Sequence, residues 1–431
     1  MDVTGEQIDA LIGCNEAYEM PTKLMEKLKD DSKREQLFAA FLDLEPDLSY
    51  DLFTNYFQDG HADRAKLKQD YTPASLIRLL ADIAGKSDSY GDICAGSGGL
   101  TVGVWNRNPH AFFYCEEYSA HVLPLLLLNL AIRNMNAIVV HGDSLTRETF
   151  AAYRLEPGGR FSSITKLDER PTVIVERIIS NPPYSMKWQP VDDERFAGYG
   201  LAPASKADYA FLLHGLSLLS DTARALFIMP HGVLFRSQKE GDIRRALLER
   251  GQLRGVIGLP DKLFLNTGVP VCIIEAVKDC DPDTGVMFID ASRDYVKGSK
   301  QNNLSPEQAS RILATYSDRV DVDKYAHLAT PDEIRDNGFN LNIHRYVDTF
   351  ESEPLPDLAA LFHDLAGLNN DIHSTETVLA GMAGSLQGYS MDELEGLDAW
   401  RRSINSKRGT LRTCSTSNAP KTARRIQPAL F

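Results

Sequence analysis

Asp92-Ile93-Cys94-Ala95-Gly96-Ser97-Gly98-Gly99 sets a glycine-rich turn directly after the apolar run 90–93 and ahead of a helix-compatible stretch. Glycines at a strand-to-helix turn permit a tight bend and let a ligand approach the backbone, as in nucleotide-binding βα loops. The loop lacks Gly-Lys-Ser/Thr, so it is no phosphate-cradling P-loop, and Thr101 stands where the dinucleotide motif G-x-G-x-x-G puts its last glycine. Outward from it, short apolar runs at 112–115, 137–140, 173–179, 225–229, 255–259 and 271–275 alternate with helical stretches. Upstream, Thr72-Pro73 reads as a cap and a first-position proline for a helix whose stripe is Leu76, Leu79, Leu80 and Ile83, closed by Gly85. Alternating β and α elements over about 200 residues predict an α/β fold with a doubly wound, largely parallel, Rossmann-like sheet that binds ligands at its strands' carboxyl ends.

Three further strand ends carry polar signals. Glu116-Glu117 closes the second run, where one carboxylate could accept from both ribose hydroxyls of an adenosine moiety. Gly142-Asp143-Ser144 follows the third, and Asp143 could accept from an adenine amine. Asn181-Pro182-Pro183-Tyr184 ends the fourth. An aromatic amine such as adenine N6 is a poor nucleophile because its lone pair is delocalised into the ring. The Asn181 side-chain oxygen and the Pro182 carbonyl could bind both amine hydrogens and draw the nitrogen toward tetrahedral geometry. Pro182 and Pro183 stiffen the loop, and Tyr184 can stack on a base that has left its helix. As a bare tetrapeptide the motif is also simply a turn; its place behind three other strand-end signals argues for a site.

The ends of the chain read differently. Residues 1–70 form a small helical unit, with a capping-box pattern at Ser32-Lys33-Arg34-Glu35 and apolar Leu37, Phe38, Phe41 and Leu42 at helical spacing. In 351–390, Leu358, Leu361, Leu365, Leu368, Ile372, Leu379, Met382 and Leu386 keep a three-four spacing broken at Thr375, which predicts a long helix with a coiled-coil-like seam. The segment 391–431 ends in a Ser/Thr-rich basic tail and is expected to be disordered. No apolar run approaches the ~20 residues needed to cross a bilayer, so a cytoplasmic, membrane-free protein is expected. Cys14, Cys94, Cys115, Cys272, Cys280 and Cys414 form no C-x-x-C pair and there is no H-E-x-x-H, so no metal site is expected. A net charge of −14 argues against self-sufficient binding to a phosphate backbone.

Over about residues 68 to 390 the chain resembles the N6-adenine DNA methyltransferases, and among them the modification subunits of type I restriction-modification systems. The resemblance rests on the order of Tyr71-Thr72-Pro73, Asp92 to Gly99, Gly142-Asp143-Ser144-Leu145, Asn181 to Tyr184, Asp208-Tyr209-Ala210-Phe211, Met229-Pro230-His231-Gly232, Leu259-Pro260 with Leu263-Phe264, Gln301-Asn302-Asn303-Leu304 and Phe339-Asn340-Leu341-Asn342. It implies S-adenosylmethionine as cofactor, bound by Tyr71, Thr72, Pro73, Asp92, Gly96, Ser97, Gly98, Glu117 and Asp143. Thr72 would help hold the methionine carboxylate, and Glu117 rather than Glu116 would take the ribose. Asn181, Pro182 and Tyr184 would be catalytic, with Pro183 and Tyr184 binding the flipped adenine. The implied partners are double-stranded DNA, a specificity subunit docked on the C-terminal helix, a second copy of the chain and a restriction subunit. Ile93, Cys94-Ala95 and 176–180 depart from the family pattern, Pro124 falls inside the helix expected after Glu117, and the N-terminal unit is short. The same tetrapeptide also serves methyltransferases acting on protein glutamine or RNA, and a non-catalytic scaffold with the same fold is a further reading.

Overall fold

The computed structural model describes residues 4–54, 56, 71–265, 268–279, 281–349, 357–385 and 390–410. The chain divides into two compact units, 1–350 and 351–431. No helix among the described residues is long and apolar enough to cross a membrane.

In the first unit, helices α1 (Gly5–Ile12), α2 (Met20–Lys29), α3 (Asp31–Leu44) and α4 (Ala74–Ala84) lead into the sheet. The strands are β1 (Ser89–Asp92), β2 (Phe112–Glu117), β3 (Asn136–Gly142), β4 (Thr149–Glu156), β5 (Ser163–Leu167), β6 (Val175–Ser180), β7 (Leu219–Pro230), β8 (Leu253–Gly258), β9 (Val271–Val277), β10 (Val286–Asp290) and β11 (Ala326–Ala329). Between them lie α5 (Gly99–Trp105), α6 (Leu123–Ile132), α7 (Asp208–Ser217), α8 (Lys239–Glu249) and α9 (Pro306–Asp318), with α10 (Pro331–Asp336) last. The order across the sheet is β11-β10-β8-β9-β7-β6-β1-β2-β3-β4-β5. Its centre, β3-β2-β1-β6-β7, is wholly parallel, and the chain changes direction across the sheet at β1. That switch point opens the crevice in which doubly wound folds bind ligands.

The sheet is less parallel than the sequence suggests. Five of its ten pairings, β3/β4, β4/β5, β7/β9, β8/β9 and β10/β11, are antiparallel. The reason lies in the connections: the link from β8 to β9, 259–270, carries no helix among its described residues, so the chain returns beside itself in the opposite sense. Edge strands β4 and β5 escape a search for apolar runs because much of each is solvent-accessible.

Local signals mostly act where the sequence puts them, with shifts. Helix α3 is capped by Asp30, which accepts from Lys33 N at 3.0 Å, and not by Ser32. Pro73 is the cap residue of α4 and not its first helical residue, while Gly85, at φ +66°, ends the helix. Pro124 sits in the first turn of α6, where its missing N–H costs no hydrogen bond, so the helix starts there without a kink. Every residue of α6 is buried, because it lies under the N-terminal helices as well as on the sheet. Ile8, Leu24, Leu28 and Phe38 belong to the same core as the sheet's Phe113, Cys115 and Val139, so residues 1–70 do not stand apart from it. The opposite face packs against α7 through Tyr209, Leu212 and Leu213.

The second unit holds α11 (Leu358–Gly384), capped by Asp357, and α12 (Met391–Thr410). The seam residues Leu358, Leu361, Leu365, Leu368, Ile372, Leu379 and Met382 are all about half exposed or more; Leu386 lies outside the described residues. Helix α12 corrects the expectation of disorder over 391–431 for its first part. The signal was Ser390-Met391-Asp392-Glu393, a capping box in which Ser390 N donates to Glu393 Oε2 at 2.9 Å. Residues 411–431 lie outside the described residues.

One buried cation ties the N-terminal segment to the sheet. Arg133, at the end of α6, donates from Nε to the Leu48 carbonyl at 2.8 Å, from Nη1 to Asn129 Oδ1 at 2.9 Å, and from Nη2 to the Tyr50 carbonyl. Arg133→Met strands those buried acceptors and is expected to cost about 2–4 kcal/mol, read as a lower urea midpoint at unchanged slope. A midpoint equal to the parent's contradicts this.

Candidate active site

The carboxyl ends of β1, β2, β3 and β6 open on one cavity of about 530 Å³. Tyr71, Thr72, Asp92, Gly96, Ser97, Glu117, Asp143, Asn181, Pro182, Pro183 and Tyr184 all line it. Pro73 and Gly98 do not. Pro73 caps α4, and Gly98 sits at φ +101° at the start of α5, where a Cβ would come within 3.1 Å of Leu126. Both shape the site from behind.

The adjacent acids of β2 part company because successive side chains of a strand face opposite sides of the sheet. Glu117 accepts from Gly96 N at 2.9 Å and from Ser119 N at 2.7 Å on the cavity side, and burial pushes its carboxyl up to about 7. Glu116 lies on the other face, with Tyr114 Oη at 2.7 Å, Arg170 and His214 Nε2 at 3.0 Å. Burial alone would raise Glu116, but His214 and Arg170 outweigh it and hold the carboxyl well below the usual range. Arg195 Nη1 donates to His214 Nδ1 at 2.8 Å, which leaves the imidazole hydrogen on Nε2, facing Glu116. Arg195 also donates to the Ser144 and Leu145 carbonyls at 2.8 and 2.7 Å, so this network braces the loop behind Asp143.

Asp92 is buried at the end of β1. Its Oδ1 accepts from Ser180 Oγ at 2.9 Å and Cys94 N at 3.2 Å, while Oδ2 has no partner among the described residues; burial raises the carboxyl to about 7. Asp143 Oδ1 accepts from Leu145 N at 2.8 Å and Thr146 N at 3.2 Å, closing its own turn. The Ser97 hydroxyl is committed elsewhere: it donates to Asp51. At the end of β6, Asn181 Nδ2 donates to Thr72 Oγ1 at 3.1 Å and Tyr184 Oη donates to Asn181 Oδ1 at 2.7 Å. The Tyr184 ring meets Phe264 edge-on, centroids 6.2 Å apart. Asp208, at the start of α7, accepts from Ser185 N at 2.8 Å and anchors the turn that leaves Tyr184.

The cavity suits S-adenosylmethionine on its own chemistry. An unpartnered buried carboxylate oxygen on Asp92 fits an ammonium, and a buried carboxyl on Glu117 fits a pair of hydroxyls. Sequence reasoning missed Asp51, whose carboxylate holds the glycine loop, and the wall formed by Met186, Lys187, Trp188 and Gln189. The one cue to that wall was its place directly after Tyr184; Asp51 had none, its bonds to Ser97 and Asn129 spanning 46 and 78 residues.

Residues 49–354 match the model of the N-6 DNA Methylase family. The chain is 29% identical over 314 residues to the type I restriction enzyme MpnII methylase subunit of Mycoplasma pneumoniae, covering 68% of this chain and 56% of that protein. It is 26% identical over 360 residues to the MjaVIII methylase subunit of Methanocaldococcus jannaschii, covering 79% and 59%. The chain thus spans less than two thirds of the length of these curated relatives. Among solved structures, the methyltransferase subunit of a type I restriction-modification system from Streptococcus thermophilus superimposes with a TM-score of 0.61 at 30% identity, over 80% of each chain.

Asp92 and Glu117 set a pH dependence. Their carboxyls titrate near 7 in the folded chain and at about 4 when unfolded. Between those values the folded state binds protons that the unfolded state has released, so stability falls as pH rises. The ligand-free protein is expected to lose denaturant midpoint from about pH 4 to pH 7 through these groups, and Glu117→Gln to flatten that slope. A slope unchanged in the variant contradicts the assignment.

Proposed function

Since the chain belongs to the N-6 DNA methylase family, we propose that it transfers a methyl group from S-adenosylmethionine to N6 of an adenine turned out of duplex DNA. Bound S-adenosylmethionine supplies an electrophilic methyl group on a sulfonium. Glu117 would accept from the ribose hydroxyls, Asp143 from the cofactor's adenine amine, and Asp92 with the loop Gly96-Ser97-Gly98 would line the ribose and methionine end. Tyr71 and Thr72 close the wall opposite, and Pro73 fixes where that wall begins.

The observation that carries the reading is that Asn181 opens on the same cavity as Asp92 and Glu117. Asn181 Oδ1 and the Pro182 carbonyl would accept the two N6 hydrogens and direct the nitrogen lone pair at the methyl group. Tyr184 Oη, which now occupies Oδ1, would give it up to the target amine as its ring stacks on the base. Pro183 keeps that turn stiff. No covalent enzyme intermediate is required: orientation and electrostatic placement lower the barrier.

DNA specificity would come from a partner, since the net charge is −14 and the half-exposed seam of α11 offers a helical face. We take that partner to be a specificity subunit docked on α11, in an assembly with a second copy of the chain and, where cutting occurs, a restriction subunit. Such an enzyme works in the cytoplasm, where its DNA is.

The test is transfer of labelled methyl groups to adenine-containing duplex, with and without a co-expressed specificity subunit. Activity is expected only with the partner, and Asn181→Ala is expected to lower turnover by about 100-fold or more while cofactor binding by calorimetry persists. Cofactor binding with no transfer under either condition would rule the reading out.

A further inference from the structure

An asparagine amide presents two nearly isosteric ends, one acceptor and one double donor. Only one orientation of Asn181 serves an amine target, because the flipped amide would point N–H groups at N–H groups. What sets the orientation is the partner of the other end, here the Thr72 hydroxyl at 3.1 Å from Nδ2. A hydroxyl donates as readily as it accepts, so Thr72 enforces the productive orientation only when its own hydrogen is spent on another acceptor.

The cavity that Thr72 lines indicates that acceptor. S-adenosylmethionine carries one ammonium and one carboxylate at its methionine end. Asp92 and Glu117, buried acids of the same cavity, repel the carboxylate, and the unpartnered Asp92 Oδ2 attracts the ammonium. The carboxylate is left to hydroxyl and backbone donors on the wall at Thr72. The backbone there is held by Pro73, at φ −59° on the cap of α4, so the hydroxyl cannot drift with the chain.

We propose that Thr72 is a positioning residue that links cofactor to target: it donates to the cofactor's methionine carboxylate and accepts from Asn181 Nδ2, so cofactor binding fixes Asn181 Oδ1 toward the target amine. The proposal rests on the methyltransferase reading above. It makes Asn181 a competent acceptor only in the loaded enzyme, and it gives Thr72 an effect on methyl transfer beyond its share of cofactor affinity.

The experiment compares the full-length parent, Thr72→Val and Thr72→Ser, each with S-adenosylmethionine and with its decarboxylated form. By calorimetry the parent is expected to bind the decarboxylated form about tenfold or more weakly, the size of a lost charge-assisted hydrogen bond. Thr72→Val should narrow that gap to about twofold and Thr72→Ser should retain it. In single turnover at saturating cofactor, with the specificity subunit present, Thr72→Val should slow transfer about 10- to 100-fold, and removing the carboxylate should slow it no further. A full affinity gap in Thr72→Val, or a parental transfer rate in that variant, overturns the link while leaving the methyltransferase reading intact. A parent that binds cofactor yet methylates no adenine overturns both.

Discussion

A single carboxylate, that of Asp51, holds the glycine loop from outside the sheet. It accepts from the Ser97 hydroxyl, from Asn129 Nδ2 on α6, from Phe53 N at 3.0 Å and from Thr54 Oγ1 at 2.9 Å. Asn129 Nδ2 also donates to the Ser97 carbonyl at 2.7 Å, so loop and helix are bound twice. Each donor is buried or half-buried, and a buried polar group left without its partner costs more than the bond contributes when made. The loop's curvature, the depth of α6 and the seat of the N-terminal segment therefore depend on one another. Glycines make the turn sterically accessible; Asp51 makes it the one conformation in which every polar group is satisfied.

The charges around the site fall into two sets. On the cavity side, Asp92 and Glu117 lie buried without a cation, which raises both carboxyls to about 7 and readies them for a ligand that supplies positive charge or hydroxyl donors. On the far face, Glu116 is saturated by Tyr114, Arg170 and His214, and through His214 it reaches Arg195. Arg195 belongs to the segment that follows Tyr184, and it grips the carbonyls behind Asp143. The wall around Trp188 and the turn at Asp143 thus share one buried support. A satisfied network of this kind contributes rigidity, whereas the unsatisfied pair contributes affinity.

Legibility of the site followed sequence distance. Asp92, Glu117, Asp143 and Asn181 were readable because each stands at the end of an apolar run, and a strand end is a local signal. The choice between Glu116 and Glu117 came from a family resemblance, and strand alternation accounts for it. Ser97 was expected at the ligand but bonds Asp51, 46 residues away, and nothing near either residue announces the pair. Pro73 and Gly98 were expected to touch the cofactor, and they instead hold the backbone from behind, a role that residue type alone does not separate from contact.

By itself the sequence determined the alternating α/β class, the parallel centre, the four strand ends and the long C-terminal helix, since periodicity, caps and turn residues act within a few positions of themselves. Tertiary structure alone decided the antiparallel flanks, where a link's lack of a helix set strand direction, and the burial of α6 on every side. It also decided which polar groups are spent within the protein and which remain for a ligand. Hydrogen-bond satisfaction is a property of the whole fold: the partners of Ser97, Asn181 and Glu116 lie 46, 109 and 98 residues away, at Asp51, Thr72 and His214.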